Sequence, residues 1–400
     1  MTGSLSKRPT QAVILAGGRG ARLRPFTDTM PKPMIRFHGK PFLEYLVEML
    51  RGQGFDRILL LLGYLPDAIT GYFGDGSRWG VHIDYAITDV EDDTGRRLKL
   101  AQDRIDPVFL LAYCDNYWPM DFARVWKQYE QADVPGQLVV YRNDDKYTRD
   151  NILIGQDGIV VGYDRSRQSP GLKGVDIGFA VLRNELLDMV PDENVSFEQT
   201  VYPQLVGRDQ LGAFLTSHRY YSVGSAERLP LTTDFLARKP SVILDRDGVL
   251  NRKMPGAAYV RSWADWEWIP GSLEAVAMFR RAGYRVFVAT NQAGVARGIV
   301  SADGLADIHW RMTAAIREHG GDIDAIYSCQ HGWNDGCECR KPKPGMLFAA
   351  QREFSLDLSR TPFLGDDPRD QAAAEAAGCP GLVVTEDFTL IDHARQMLAT

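Results

Sequence analysis

The chain has 400 residues, 24% of them charged, and a formal net charge of −6 at pH 7. One hydrophobic core rarely serves so long a chain, so we expect two domains. The acidic balance argues against general binding to nucleic acid or anionic membranes, although local basic clusters can still hold phosphates. No apolar run is as long as a membrane span and nothing at the N-terminus resembles a signal peptide, so we expect a soluble, cytoplasmic enzyme.

Strand-like runs alternate with helical segments along the whole chain. We predict strands at 12–16, 58–62, 108–112 and 137–141, and then at 241–244, 284–289, 325–327, 362–364 and 381–384. This alternation is typical of α/β domains, in which a mostly parallel sheet lies between helices. The short basic segment 236–240 separates the two series, so we predict domains at 1–236 and 237–400. Ligands of such sheets bind at the carboxyl ends of the strands, so the residues after each strand are the candidates for function.

A glycine-rich basic loop follows the first strand, and the run Pro31-Lys-Pro-Met34 comes shortly after it. Closely spaced glycines let backbone N–H groups approach a triphosphate, and Arg22 and Lys32 supply countercharge. The loop lacks the Gly-Lys-Ser/Thr of a Walker loop and the third glycine of a dinucleotide fingerprint. The residues predicted to bind nucleotide or sugar phosphate are Gly17, Gly18, Gly20, Arg22, Lys32 and, after a later strand, Asp115.

These motifs resemble those of the sugar-1-phosphate nucleotidyltransferases over residues 11–236, which implies a Rossmann-type mixed sheet for this domain. The resemblance implies that a sugar phosphate attacks the α-phosphorus of a nucleoside triphosphate and expels pyrophosphate, with Mg²⁺ bridging the phosphates and Asp115 binding the metal. It also implies that Asp164-Arg165 stands for the family's Glu-Lys pair and Asp176-Ile-Gly178 for a sugar-contacting segment. Glu198 matches a common family glutamate, and a helix-capping role is the alternative for it.

Two segments depart from the pattern of that family. Asp93-Thr-Gly-Arg-Arg97 stands where Gly-Thr-Ala/Gly-Gly-Ala is usual, so its arginines are expected to alter or crowd the pocket. Ser222-Val-Gly-Ser-Ala226 stands where Asp-Ile-Gly-Thr-Pro is expected, so the second metal-binding carboxylate is missing. Serine is a poor Mg²⁺ ligand, and Asp176 is a candidate substitute.

A compact group of metal ligands stands in the second half. Cys329, His331, Cys337 and Cys339 lie within eleven residues, directly before Arg340 and Lys341. Three thiolates and one imidazole complete a tetrahedral shell that leaves no place for a catalytic water, so we predict a structural Zn²⁺ site. Ordinary buried cysteines are the alternative, but three of the five cysteines of the chain fall in this loop. A disulfide is disfavoured because the expected cytosol is reducing.

Acidic and polar residues follow the other predicted strands of this half. Asp245 and Asp247 come directly after the first strand, a spacing at which a carboxylate pair can bind Mg²⁺ while one member attacks phosphorus and the other moves a proton. Thr290 and Asn291 end the second strand. Asp366 opens an acidic turn that reaches Asp370 after the fourth strand, and a merely solvated turn is the alternative for this pair.

In this order, the motifs resemble those of the haloacid dehalogenase phosphatase superfamily. The Cys-x-His loop, Thr-Asn-Gln-Ala-Gly and Cys-Arg-Lys-Pro-x-Pro-Gly are most similar to the heptose 1,7-bisphosphate 7-phosphatases, with histidinol-phosphate phosphatase as the near relative. The resemblance implies that Asp245 is the nucleophile, forming an aspartyl-phosphate, and that Asp247 is the acid/base.

The same resemblance implies the remaining parts of that site. Mg²⁺ would be held by Asp245, the carbonyl of Asp247 and Asp366. The phosphoryl group would be stabilised by Thr290, Asn291 and Lys341, with Lys343 as the competing choice of lysine. Arg340, between the zinc loop and Lys341, is expected to grip the second phosphate of a bisphosphate.

The two halves fit one pathway, because a 7-phosphatase would produce the heptose 1-phosphate that a nucleotidyltransferase would activate. We therefore expect a bifunctional enzyme of nucleotide-activated heptose synthesis, with GTP as the nucleotide and GDP-D-glycero-α-D-manno-heptose as the product. The alternatives are an active phosphatase with a nucleotidyltransferase-like domain that only binds ligand, and a histidinol-phosphate phosphatase. The expected partners are small-molecule sugar phosphates and a nucleoside triphosphate, not nucleic acid or membrane, and an oligomer is left open.

Overall fold

The computed structural model describes residues 8–399 of the chain. The chain divides into two compact units, Met1–Leu236 and Ala237–Thr400. No helix in the described part combines the length and the apolar character that crossing a lipid bilayer requires.

The first unit is built around a large central sheet with small ladders beside it. Its strands are β1 Gln11–Ala16, β2 Arg36–Phe37, β3 Lys40–Pro41, β4 Arg57–Leu62, β5 His82–Ile87, β6 Val108–Tyr113, β7 Asn116–Tyr117, β8 Gly136–Tyr141, β9 Ile152–Ile154, β10 Val160–Tyr163, β11 Val175–Arg183, β12 Leu211–Thr216 and β13 Tyr221–Ser222. Its α-helices are α1 Phe42–Gly52, α2 Pro66–Phe73, α3 Thr94–Leu100, α4 Phe122–Gln131, α5 Phe197–Val206 and α6 Leu229–Leu236.

The central sheet has seven strands in the order β12-β8-β11-β6-β1-β4-β5. The sheet is mixed. Strand β11 runs antiparallel to both of its neighbours, β6 and β8, and all other neighbouring strands of the sheet are parallel to each other. A parallel neighbour needs a crossover connection, usually a helix, whereas β8 and β11 are joined through the β9–β10 ladder. The antiparallel strand therefore follows from the missing crossover helix.

Both faces of this sheet are covered. In β1, Ala12 and Ile14 belong to one apolar cluster, and Val13 and Leu15 belong to the other. Successive side chains of a strand point to opposite faces, so a strand buried on both faces has a continuous apolar sequence. This explains why the strand could be predicted although it shows no alternation of polar and apolar residues.

The second unit contains a five-stranded sheet in the order β16-β15-β14-β17-β18, parallel throughout. Its strands are β14 Ser241–Leu244, β15 Arg285–Asn291, β16 Ala325–Cys329, β17 Phe363–Gly365 and β18 Gly381–Val383. Its α-helices are α7 Ser272–Arg281, α8 Ala302–Glu318, α9 Gly345–Phe354, α10 Pro368–Ala377 and α11 Leu390–Leu398. Helices α7, α8 and α11 contribute to the apolar cluster on one face, and α9 and α10 to the cluster on the other.

Candidate active sites

The register of three parallel strands sets one edge of the second unit's sheet. Leu244, the last residue of β14, pairs with Val288 of β15 and with Leu364 of β17. Asp245, the residue after β14, therefore lies near the carboxyl ends of β15, which includes Thr290, and of β17, which ends at Gly365. Polar residues from separate parts of the sequence meet at this edge because the carboxyl ends of parallel strands coincide.

Lys341 bridges two buried carboxylates at this edge. Its Nζ lies 2.8 Å from Asp245 Oδ1 and 2.7 Å from Asp370 Oδ1, and it donates a third bond to the carbonyl of Ala289. Burial alone would lower the pKa of Lys341, but the two carboxylates outweigh it and raise that pKa. Burial also raises the pKa of Asp245 to about 6, against the opposing charge of Lys341. Lys341 therefore stays charged and keeps Asp245 available as an anion at neutral pH.

Three carboxylates are close enough here to share a cation. One oxygen each from Asp245, Asp366 and Asp370 lies within 4.8 Å of the others. The buried Oδ1 of Asp366 has no hydrogen-bond partner, and its Oδ2 lies 2.7 Å from Lys253 Nζ. Gly248 admits this carboxylate, because its φ is +94° and a Cβ there would lie 2.0 Å from Asp366 Oδ2. Clustered oxygen ligands with one oxygen unpartnered fit the preferences of Mg²⁺.

The Asp247 carboxylate is held by neighbouring side chains and is not a member of that cluster. Its two oxygens accept from one Arg246 nitrogen, at 3.0 and 2.9 Å, and one each from Asn251 at 2.9 Å and Gln292 at 2.8 Å. Burial alone would raise the pKa of Asp247, but the charge of Arg246 and these hydrogen bonds lower it below its ordinary value. The carboxylate is therefore fixed in orientation.

The structure also separates the roles of the predicted phosphoryl-binding residues. Thr290 is buried, and its hydroxyl accepts from Gln292 at 2.8 Å, which leaves its own proton to donate. The amide of Asn291 exchanges two hydrogen bonds of 3.1 Å with the backbone of Lys341 and so braces the lysine. Lys343 Nζ bonds to Glu338 at 2.7 Å, whereas Lys341 lies among the carboxylates. The geometry therefore favours Lys341 over Lys343 as the lysine that stabilises the phosphoryl group.

A cavity of about 400 Å³ opens beside Lys341. Its basic lining residues are Arg340, Lys341, Lys343 and Arg369, and Trp333 also lines it. Arg340 Nη1 is buried without a hydrogen-bond partner, and Arg369 makes a bidentate contact with Asp367 at 2.8 and 2.9 Å. The cavity is thus suited to an anionic ligand larger than a single phosphate.

The predicted zinc ligands converge on one centre. The ligand atoms of Cys329, His331, Cys337 and Cys339 all lie within 4.8 Å of one another. The Sγ atoms of Cys329 and Cys337 are 3.7 Å apart. This is far beyond the length of a disulfide, about 2.05 Å, and matches one edge of a tetrahedron with Zn–S bonds of about 2.3 Å. Burial and the neighbouring thiols raise the pKa of Cys339 to about 12. A divalent cation would remove that penalty, so the donor set fits zinc.

A second cavity, of about 310 Å³, lies at the glycine-rich loop of the first unit. Of the predicted binding residues, Gly17, Gly18, Gly20, Lys32 and Asp115 line it. Arg22 lines a smaller neighbouring cavity together with Gly20, Lys32 and Gly224. Gly20 has a φ of +65°, in the left-handed region that other residues rarely adopt, and a Cβ there would lie 3.0 Å from Lys32 Cβ. All six predicted residues thus adjoin one of the two cavities.

The predicted metal ligand of the first unit makes an ion pair. Asp115 Oδ2 lies 2.5 Å from Lys32 Nζ. Ser222 is its near neighbour, because β13 pairs with β7 and the Val223 N–H donates to the carbonyl of Asp115 at 2.9 Å. The Ser222 hydroxyl accepts from the Gly224 N–H at 2.9 Å. Within residues 8–399, no cluster of three metal ligands forms at this cavity, so these side chains alone fit Mg²⁺ poorly.

The two arginines that depart from the family pattern behave differently. Arg97 is buried under the glycine loop, where it donates to the carbonyl of Leu62 and to Thr88. A Cβ at Gly17 would lie 2.3 Å from its guanidinium carbon, so any other residue there would displace this guanidinium. Arg96 instead donates to the carbonyl of Asp192 and is not a lining residue of the cavity. The expectation of crowding thus applies to Arg97, which braces the cavity floor.

The other residues suggested by the resemblance are spread around the first unit. Arg165 lines the larger cavity and donates to Ser196 at 3.1 Å, whereas Asp164 accepts from a turn of serines. The half-buried Asp176 accepts from Tyr163 at 3.1 Å and from the Gly178 N–H at 2.9 Å, and it does not form a group of metal ligands with Asp115 among residues 8–399.

Glu198 does not cap its helix, because α5 has no side-chain cap bond. Its Oε2 accepts from Thr94 at 2.9 Å and from Ser196, whereas its buried Oε1 has no partner. The helix-capping alternative is therefore wrong in this structure.

Several residues of the two sites were not singled out as such from the sequence. They are Arg246, Lys253 and Gln292. Arg246 and Gln292 lie inside motifs that had been recognised, so closeness to a motif was the available signal. Arg97 and Asp370 had been noted in the sequence, but their bonds to the Leu62 carbonyl and to Lys341 had not. Lys253 lies outside the motifs, and only the fold brings it to Asp366.

Comparisons with known proteins match the two units separately. The nucleotidyl transferase family model matches residues 11–150, and the HAD-hydrolase-like model matches residues 338–398. The D-glycero-beta-D-manno-heptose-1,7-bisphosphate 7-phosphatase of Bordetella bronchiseptica is 47% identical over 145 residues, which cover 36% of this chain and 80% of that protein. The enzyme of the same name from Vibrio cholerae is 36% identical over 169 residues, which cover 40% of this chain and 89% of that protein. The crystal structure of HddC from Yersinia pseudotuberculosis has a TM-score of 0.50 and 27% identity, covering 56% of this chain and 99% of that one.

Both resemblances found in the sequence are thereby confirmed. The chain is an enzyme that joins a nucleotidyltransferase unit to a haloacid dehalogenase-like phosphatase unit. It belongs to the family of D-glycero-beta-D-manno-heptose-1,7-bisphosphate 7-phosphatases.

Proposed function

We propose that the chain catalyses two steps of nucleotide-activated heptose synthesis in the cytoplasm. The second unit removes the 7-phosphate of D-glycero-D-manno-heptose 1,7-bisphosphate. The first unit then transfers a guanylyl group from GTP to heptose 1-phosphate and releases pyrophosphate. The observation that carries the proposal is the group Asp245, Asp366, Asp370 and Lys341 at one sheet edge, in a unit whose named relatives are 7-phosphatases.

The phosphatase reaction follows from the placement of its carboxylates. An oxygen of Asp245 attacks phosphorus while the bond to the sugar oxygen breaks, and Asp247, which must first take up a proton because its pKa is lowered, gives that proton to the sugar oxygen. Asp247 then takes a proton from the water that releases phosphate from the aspartyl-phosphate. Lys341 and Thr290 stabilise the charge on the transferring group, since phosphoryl transfer depends chiefly on positioning and electrostatics.

The proposed metals have separate tasks. Asp245 and Asp366 would hold Mg²⁺ together with the Asp247 carbonyl, and the ion would supply countercharge to the phosphoryl oxygens. Asp370 keeps Lys341 in place beside them. The zinc site fixes the loop that carries Arg340, and the basic cavity beside it receives the second phosphate of the substrate.

Replacement of the nucleophile tests the phosphatase assignment. Asp245→Asn should lower phosphate release from heptose 1,7-bisphosphate by at least about a thousandfold, because no attacking carboxylate remains at the strand end. Asp303→Asn, at an exposed aspartate in the first turn of α8, is the matched control, and phosphate is assayed in the presence of Mg²⁺. Activity retained in Asp245→Asn would identify another nucleophile. Faster turnover of histidinol phosphate than of heptose 1,7-bisphosphate would favour the alternative assignment as a histidinol-phosphate phosphatase.

A second candidate function is favoured by one observation in the first unit. Asp115 is paired with Lys32, and Ser222 stands where a second carboxylate is expected, so the unit could bind its nucleotide without catalysis. The bifunctional proposal predicts that the full chain releases pyrophosphate from GTP and heptose 1-phosphate.

The same proposal predicts that Ser222→Asp lowers the Mg²⁺ concentration needed for half-maximal pyrophosphate release, because a second carboxylate is added beside Asp115. Ser225→Asp, three residues further on, is the control for added charge. Tight nucleotide binding without pyrophosphate from the unsubstituted chain would support the binding-only function.

A further inference from the structure

A buried chain of three side chains lies behind the proposed acid/base residue. Arg246 is only 1% exposed and stands between Asp247 and His309 of α8. One of its terminal nitrogens contacts both oxygens of Asp247, and the other lies 3.2 Å from His309 Nε2. A guanidinium group only donates hydrogen bonds, so Nε2 must accept and the neutral imidazole carries its proton on Nδ1.

The surroundings keep this imidazole in the accepting form. Burial, followed by the nearby charge of Arg246, lowers the pKa of His309 to about 4. The guanidinium also lies against the ring of Trp266, at 5.8 Å from its centroid, and its Nε has no partner. Removing the His309 acceptor would leave a second buried donor of Arg246 unsatisfied, which favours a rearrangement of the guanidinium.

We propose that His309 is a positioning residue of the phosphatase site: through Arg246 it holds the carboxylate of Asp247 in the orientation from which the leaving oxygen is protonated. The inference rests on the proposed phosphatase function. Asn251 and Gln292 also bond to Asp247, but each supplies one neutral donor, whereas Arg246 contacts both oxygens and carries charge. Losing its anchor should therefore misplace the acid without removing it.

The positioning role of His309 can be tested by comparing substrates whose leaving groups differ in their need for a proton. An alkoxide leaving from a sugar phosphate needs a proton, whereas p-nitrophenolate leaves readily without one. The ratio kcat/KM reports the steps up to departure of the leaving group, so both substrates are compared on this ratio. His309→Leu removes the acceptor, and His309→Gln keeps one in the form of an amide oxygen.

We expect His309→Leu to lower kcat/KM for heptose 1,7-bisphosphate by about tenfold or more, through kcat, because a well-placed general acid contributes at least about a hundredfold. The loss with p-nitrophenyl phosphate should be much smaller, and His309→Gln should restore most of the activity toward the bisphosphate. His319→Leu is the matched control, because His319 is exposed at the end of the same helix and contacts only its own turn through Nδ1. It should leave both ratios unchanged.

Melting curves establish that each variant is folded, and His309→Ala replaces His309→Leu if the latter does not fold. Equal losses on the two substrates, no loss on either, or a glutamine variant as impaired as the leucine variant would overturn the proposal. If the unsubstituted enzyme hydrolyses p-nitrophenyl phosphate but not the heptose bisphosphate, the proposed substrate is wrong. The His309 variants are then compared on glycerol 3-phosphate, an alkyl phosphate, and p-nitrophenyl phosphate. The comparison still tests whether the loss of activity depends on the leaving group.

Discussion

At the scale of single residues, the buried ionisable groups of the two units differ in how well they are satisfied. Lys341 has two carboxylates and a carbonyl as partners, so its charge is compensated in the interior. Glu198 has hydroxyl partners on one oxygen only, and burial raises its pKa to about 6 from an ordinary value of 4.5. An anion at Glu198 is therefore a source of instability at neutral pH.

This imbalance predicts a pH-dependent stability of the first unit. Between pH 4.5 and about 6 the folded protein binds the Glu198 proton more tightly than the unfolded chain does. The stabilisation that the protonated Glu198 gives to the folded state is therefore fully present below pH 4.5. It is lost as the pH rises through about 6, and the free energy of unfolding falls by an amount on the order of 2 kcal/mol. Glu198→Gln should raise the melting temperature relative to the unsubstituted chain at pH 7.5 more than at pH 4.5.

Glu193→Gln is the control, because Glu193 is exposed in the loop that precedes the same helix. Scanning calorimetry at the two pH values provides the comparison. An equal effect of Glu198→Gln at both pH values would mean that the carboxyl titrates at the same pH in the folded and unfolded chains.

At the scale of elements, the loop between β16 and α9 depends on its metal ligands. It contains no helix or strand between Cys329 and Gly345, and it carries Arg340 and Lys341 to the active site. Few apolar side chains hold it, so we expect a metal ion bound by the four-ligand cluster to supply most of its order. Metal binding and phosphate binding are thus linked through one short segment.

Cys337→Ser should therefore reduce the zinc content to well below one ion per chain and lower phosphatase activity together with it. Three remaining ligands bind zinc less tightly, and a loosened loop no longer places Lys341 between its carboxylates. Cys379→Ala, at a cysteine outside the loop, is the control, and zinc is measured by atomic absorption after dialysis. Full zinc occupancy in Cys337→Ser would show that Cys337 is not a ligand, and no zinc in the unsubstituted chain would remove the metal from this account.

The sequence was sufficient to predict those elements and site residues whose signal is local. The β14 strand was predicted with its observed bounds because it is a short, wholly apolar run followed by aspartate. The convergence of Cys329, His331, Cys337 and Cys339 could be predicted because three rare cysteines stand close together in the sequence. Which strand runs antiparallel, the position of Arg97 beneath the glycine loop and the pairing of Asp370 with Lys341 could not be predicted, because each depends on which distant segments the fold makes neighbours.

At the scale of the whole molecule, an acidic chain gathers basic side chains where phosphates are expected. The net charge is −6, yet Arg22 and Lys32 adjoin the cavities of the first unit and Arg340, Lys343 and Arg369 surround that of the second. Local charge of this kind attracts anionic ligands without general attraction of polyanions. Each unit has its own sheet and its own site, so the two reactions can be tested in one sample.

The most direct measurement is a phosphorus NMR time course on the full chain with heptose 1,7-bisphosphate, GTP and Mg²⁺. The account predicts that the 7-phosphate signal is replaced by inorganic phosphate while the 1-phosphate persists, and that the 1-phosphate then becomes a diphosphate ester as pyrophosphate appears. Loss of the 1-phosphate first, or no change in either sugar phosphate, would contradict it.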